Sequence, residues 1–192
     1  MNIERATRAE VPSIVELHKI CLPASILTAL GDEALYRYYD TVVGSLREHV
    51  FVALDEEHAV VAVCVLSMAP GSLLRRFAVG ARAWEASTGV ARGALRLVTR
   101  ASSRDASDTS AGLPEVTQIF TDPTLRGQGV GTSLLRTVED TLQGMGRQGY
   151  CIHTLRDDND AGIRFYRREG FTVTGTTTSF GDHYLVMTKG LT

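Results

Sequence analysis

The chain has 192 residues, 44% hydrophobic and 22% charged, with a formal net charge of −2. That size suits one domain, or one domain with an insertion, able to bury roughly 70% of its unfolded surface without a disulfide or metal staple. The composition argues against wholesale disorder, the charge gives no global pull toward nucleic acid or an anionic membrane, and no apolar run reaches the ~18 residues that span a bilayer.

In chain order, residues 2–6 are expected as a short strand, and Thr7-x-x-Glu10 reads as a capping box. An amphipathic run follows through Val11, Ile14, Val15, Leu17 and His18 and breaks at Leu22-Pro23. A second helix over 32–43 carries Tyr36, Tyr38 and Tyr39. The Val-rich runs 49–54 and 59–67, around Asp55-Glu56-Glu57, predict a hairpin. Residues 75–104 hold seven arginines and one acid, net +6 in a chain whose remainder carries −8. Trp84, Thr88, Ala91, Leu95 and Val98 give one helical face there, and Arg92, Arg96, Arg100 and Arg104 a ridge at spacing four. The stretch 102–112 has loop composition.

The last third is the most regular. Residues 114–121 read as a strand, Asp122-Pro123 as a turn, and 132 to about 145 as a helix with Leu134, Leu135, Val138 and Leu142 on one side. A strand over 150–155, a helix over 159–169 ended by Gly170, and a hairpin of 171–178 with 183–188 complete the chain. Strands interleaved with helices predict an α/β or α+β layer fold. The whole chain is expected as a single domain with an insertion at about 71–112. Cys21, Cys64 and Cys151 lie far apart with no C-x-x-C, and the N-terminus lacks a signal-peptide core. Both fit a reducing compartment, with the cytoplasm the expected location. His18, His49, His58, His153 and His183 show no pair at ligand spacing, so no metal is expected.

RGQGVG, Arg126 to Gly131, stands between a strand and a helix. Gly127, Gly129 and Gly131 remove side chains where the backbone turns tightly. Their amides, with those of Val130 and Thr132 and the helix dipole, suit a phosphate or pyrophosphate, and Arg126 adds a charge. The run lacks the lysine of a Walker A loop. Residues 122–125 separate it from its strand, unlike a dinucleotide fingerprint. A glycine-rich helix start without a ligand is the plain alternative.

The stretch IFTDPTLRGQGVGTSLL, together with NDAGIRFYRREGF after one intervening strand, resembles the GNAT superfamily of acyl-CoA-dependent N-acetyltransferases. The match is strong over about 114–171. Gly162, where the family usually has alanine, departs from it and is read as a loss of helix propensity only. The long segment 71–112 departs more. The resemblance implies a central mixed, mostly antiparallel twisted sheet flanked by helices, with the insertion lying between the third and fourth strands. It implies acetyl-CoA as co-substrate, its pyrophosphate on Arg126, Gly127, Gln128, Gly129, Val130, Gly131 and Thr132. The pantetheine arm would pair with Ile119 and Thr121, and the thioester carbonyl with backbone near Ile119 or Phe120. Asn159 matches a residue that contacts the cofactor arm; an N-cap is its other reading.

Two proton transfers remain. An amine of pKa ~10.4 is protonated at pH 7, and freeing it costs about 4.6 kcal/mol, so a base helps. Glu115 shares a strand face with Thr117, Ile119 and Thr121 and matches the family's glutamate base; a solvated strand residue is the alternative. Tyr166 matches the tyrosine that protonates the departing CoA thiolate; packing beside Phe165 is its alternative. His153 is held in reserve as a base or substrate-edge residue. Cys151 lacks a pairing base, so direct transfer in a ternary complex is expected. Leu17 to Tyr39 loosely resembles relatives linked to polysaccharide or nucleotide-sugar pathways. That points to a small-molecule amine, an amino sugar or nucleotide sugar, with Tyr36 or Tyr39 near it. Protein or peptide amines, and a non-catalytic acyl-CoA-binding or regulatory module, are the alternatives. No nucleic acid and no membrane partner is expected, and the protein is expected as a monomer or homodimer.

Overall fold

A computed structural model describes residues 1–70, 110, 112–179 and 181–191. The arginine-rich stretch 75–104, and the helix expected there, lie outside the described residues. The chain divides into two units, Met1–Met68 with Val116–Arg147, and Ala69–Glu115 with Gln148–Thr192.

The first unit is built on strands in the order β1 (Asn2–Arg5), β2 (Glu48–Leu54), β3 (Val60–Ser67) and β4 (Glu115–Thr121), whose first residue belongs to the other unit. β1 pairs antiparallel with β2, and β2 with β3. Every residue of β2 is buried, and all of β3 but its first. Their unbroken apolar runs therefore mark strands covered on both faces. Asp55 makes the turn between them: its Oδ1 accepts from the amides of Glu57 at 2.9 Å and Ala59 at 2.8 Å.

Thr7 and Glu10 close the expected capping box on a short 3-10 turn, Arg8–Glu10. α1 (Val11–Cys21) follows, burying Val11, Ile14, Val15, Leu17 and His18, and it ends before Pro23. A one-turn helix, α2 (Ile26–Ala29), lies where the sequence shows only a break; Ser25 caps it by accepting from the Thr28 amide. α3 (Asp32–Val43) buries Leu35, Tyr38, Tyr39 and Val42, an i, i+3, i+4, i+7 stripe. α4 (Val130–Gly144) buries Val130, Leu134, Leu135, Val138 and Leu142, each aliphatic side chain contributing about 1.5–3 kcal/mol.

The second unit holds β5 (Gly149–Leu155), β6 (Thr172–Ser179) and β7 (Asp182–Gly190), with β7 antiparallel to both. Between β5 and β6 lies α5 (Asp160–Arg168), closed by Gly170 at φ +92°. This helix buries no residue fully. The Tyr150 and Phe171 rings meet edge to face at 5.0 Å and form part of this unit's core. The mixed α/β class, mostly antiparallel with flanking helices, is the expected one. No helix among the described residues is long and apolar enough to cross a membrane.

Candidate active site

The turn after β4 is set by local chemistry. Asp122 Oδ1 accepts from the Thr124 amide at 2.8 Å and its hydroxyl at 2.6 Å, capping a 3-10 turn, Pro123–Leu125. The Gln128 side chain reaches back to Thr124 O at 3.2 Å and braces the same turn. Gly127 and Gly129 then adopt φ +81° and +84°, the left-handed region that glycine enters without steric cost. A Cβ at either position would meet no atom within 4 Å, so the space over the turn is open. Gly129 is the N-cap of α4, which explains why that helix begins at Val130 rather than at Thr132.

No side chain caps α4. The amides of Gly127, Gly129, Val130 and Gly131 take no backbone acceptor among the described residues. Exposed Arg126 stands beside them in the chain. Unpartnered amides at a helix N-terminus, next to a cation and beneath open space, suit an anionic ligand. On β4, Ile119 and Thr121 are half-buried, while Phe120 is buried with its ring edge on His18. The Thr121 carbonyl accepts from Cys21 Sγ at 3.4 Å.

In the second unit Glu115 meets His153. Oε1 of Glu115 lies 3.5 Å from Nδ1 of His153, with side chains 12% and 20% exposed. The other ring nitrogen, Nε2, is buried and has no hydrogen-bond partner among the described residues. Cys151, two residues back on β5, donates its thiol to Pro114 O at 3.5 Å. A carboxylate beside an imidazole can hold the ring in one orientation and share its proton load. Spacing along the chain gives no hint of this pairing, because Glu115 and His153 are 38 positions apart.

Tyr166 on α5 is half-buried, its ring against Phe165 at 5.2 Å and edge to face on Phe171 at 5.7 Å. Packing thus fixes the ring. Asn159 stands at the N-cap position of α5 but makes no side-chain cap bond there. Its amide Nδ2 donates to Thr154 Oγ1 at 2.7 Å and to Leu155 O at 3.4 Å. A Cβ on Gly162 would lie 2.6 Å from Asn159 Oδ1. Glycine at that position therefore does more than lower helix propensity: it makes room for the asparagine amide.

Of the two tyrosines expected near an acceptor, Tyr36 is on the surface and Tyr39 is fully buried. The Tyr39 hydroxyl donates to Gln118 Oε1 at 2.5 Å and contacts His18 Nδ1 at 2.7 Å. His18 Nε2 meets Ser25 Oγ at 2.8 Å. Since the phenol proton goes to Gln118, His18 carries its proton on Nδ1 and accepts from Ser25 at Nε2. Burial pushes the His18 pKa down to about 4, so the ring is neutral at pH 7. Gln118 was not singled out from sequence. Its signal was available: strand alternation places it between Val116 and Phe120 on the apolar face.

Comparison with known proteins adds the family. The model of the acetyltransferase (GNAT) domain matches residues 46–173, more than half of the chain. A mycothiol acetyltransferase of Mycolicibacterium gilvum (strain PYR-GCK) is 33% identical over 75 residues, or 37% of this chain. The match spans a quarter of that relative's length. Among solved structures, an acetyltransferase gives a TM-score of 0.70 at 20% identity with both chains fully covered. The PaiA N-acetyltransferase from Thermoplasma acidophilum, in complex with coenzyme A, gives 0.63 at 15% identity over 99% of each chain. At such identities the structural likeness concerns the fold alone.

Proposed function

Since the chain belongs to the GNAT acetyltransferase family, we propose that it moves an acetyl group from acetyl-CoA to a primary amine of a small molecule by direct attack. The observation that carries this reading is the turn at 126–131, where the amides of Gly127, Gly129, Val130 and Gly131 take no backbone acceptor among the described residues and two glycines leave open space. Arg126 and the amides of Gly127, Gly129, Val130 and Gly131 hold the diphosphate, and the β4 backbone at Ile119, Phe120 and Thr121 holds the thioester arm. Acetyl-CoA supplies an activated acyl group and a thiolate leaving group.

Glu115 takes the proton from the ammonium, and His153 at 3.5 Å shares that proton load. The freed amine nitrogen forms the amide bond as the C–S bond breaks, the Tyr166 hydroxyl gives its proton to the departing sulfur, and the second proton shed by the nitrogen restores the Tyr166 phenol. Asn159 steadies the start of α5, and with it Tyr166, through Thr154. The acceptor class is an amino sugar or nucleotide sugar. The partial relative's name adds mycothiol-type amines to the panel.

Thiol release from acetyl-CoA over amino sugars, nucleotide amino sugars, mycothiol-type amines, polyamines and peptides tests the activity; turnover with the first two groups is expected. Gly129→Val places a β-branched residue at φ +84° and a side chain over the amides. It is expected to abolish the thermal stabilisation that CoA gives the wild-type protein. A variant that CoA still stabilises equally would put the diphosphate elsewhere.

A further inference from the structure

We propose that Glu115, Cys151 and His153 bind a zinc ion, and that the bound ion stops acetyl transfer. One donor atom from each residue lies within 4.8 Å of the other two. Glu115 Oε1 and His153 Nδ1 are 3.5 Å apart. Tetrahedral zinc with bonds of ~2.0–2.3 Å holds its ligand atoms ~3.3–3.8 Å apart, so the 3.5 Å pair already fits and the rest of the set closes by about 1 Å at most. Thiolate, imidazole and carboxylate together select zinc over calcium or magnesium, which prefer all-oxygen sets.

The scaffold is firm. Cys151 and His153 alternate onto one face of β5, registered against Thr188 and Val186 of β7. Nδ1 is the ring nitrogen that faces the Glu115 carboxylate, so the imidazole enters the set through that atom. Although Cys151 is 1% exposed, Glu115 and His153 reach the surface and give the ion a way in. On binding, the Cys151 thiol releases its proton to solvent. The thiolate and carboxylate then balance the two positive charges, and a water fills the fourth position.

Inhibition rests on the proposed role of Glu115 as base, since the metal occupies that carboxylate; binding does not rest on it. The test is a titration of the purified full chain with Co²⁺, then Zn²⁺. A thiolate-to-cobalt charge-transfer band is expected, with one metal per chain by native mass spectrometry, and zinc bleaches it. Cys151→Ser should lose the band, and His153→Gln should weaken zinc binding at least tenfold. Cys21→Ser should keep both band and affinity. Melting curves for each variant confirm folding. Zinc should suppress thiol release at least tenfold, and a chelator should restore it. Absence of the band, or its survival in Cys151→Ser, overturns the site. Undiminished turnover at saturating zinc overturns the inhibition. Should no amine support turnover, the cobalt spectrum still decides the site independently.

Discussion

Two histidines show how a closed polar network differs from an open one. His18, on α1, is fully buried, yet Tyr39 and Ser25 engage both of its ring nitrogens. His153, on β5, is less buried, yet one nitrogen faces a carboxylate and the other has no partner. A closed network rigidifies the fold around it, whereas an open one keeps capacity for a proton or a metal. Depth of burial alone would have ranked the two the wrong way round for chemistry.

The contrast breaks most severely at Glu115. Glu115→Gln keeps the shape but removes the proposed base. Turnover in the thiol-release assay should fall about 10²–10⁴-fold with the melting temperature nearly unchanged. A loss under tenfold would return Glu115 to a structural role.

The His18 side of the comparison is read through pH. Burial holds its pKa near 4, against 6.5 for the unfolded ring. Between those values the unfolded chain binds a proton that the native ring refuses. Stability is therefore complete above about pH 6.5, declines as pH falls toward 4, and levels off below that. The loss amounts to about 3 kcal/mol at most. His49, whose pKa burial also lowers, adds in the same direction. Urea unfolding at several pH values should show the decline, and His18→Gln should keep only a shallower slope. An unchanged slope would assign the effect elsewhere.

Tyr39→Phe removes the hydroxyl that joins His18 to Gln118. It should cost about 1–3 kcal/mol of stability by urea melts, because two polar partners are stranded. A neutral result would mean that water replaces the phenol. The smallest effect belongs to Gly162→Ala. Helix propensity favours alanine by about 0.8–1 kcal/mol, but the methyl must displace the Asn159 amide. The melting point should stay close to wild type while the KM for acetyl-CoA rises. A plain gain in stability with KM unchanged would show that Asn159 has no part in the cofactor site.

Much of the fold was readable because it is local. The capping box, the stripe of α3, the β2–β3 hairpin and the Gly170 stop each follow from residues within a turn or two of one another. The boundary errors share that origin. α4 starts two residues early because Gly129 enters the left-handed region, and α2 was missed because a four-residue helix carries no periodic signal. The anion turn was legible for the same reason, since its glycines, Asp122 and Gln128 lie within ten residues.

The chain's linear order determined its family, its strand and helix order and the turn suited to a diphosphate, since each depends on contacts between near neighbours in the sequence. Only the tertiary structure decided that Glu115 meets His153 beside Cys151, that Tyr39 turns inward to Gln118, and that Asn159 fills the space at Gly162. The first two depend on elements far apart in the chain, and the third on side-chain packing. Pairings of that kind are set by strand register and side-chain volume, which no spacing rule along the chain encodes.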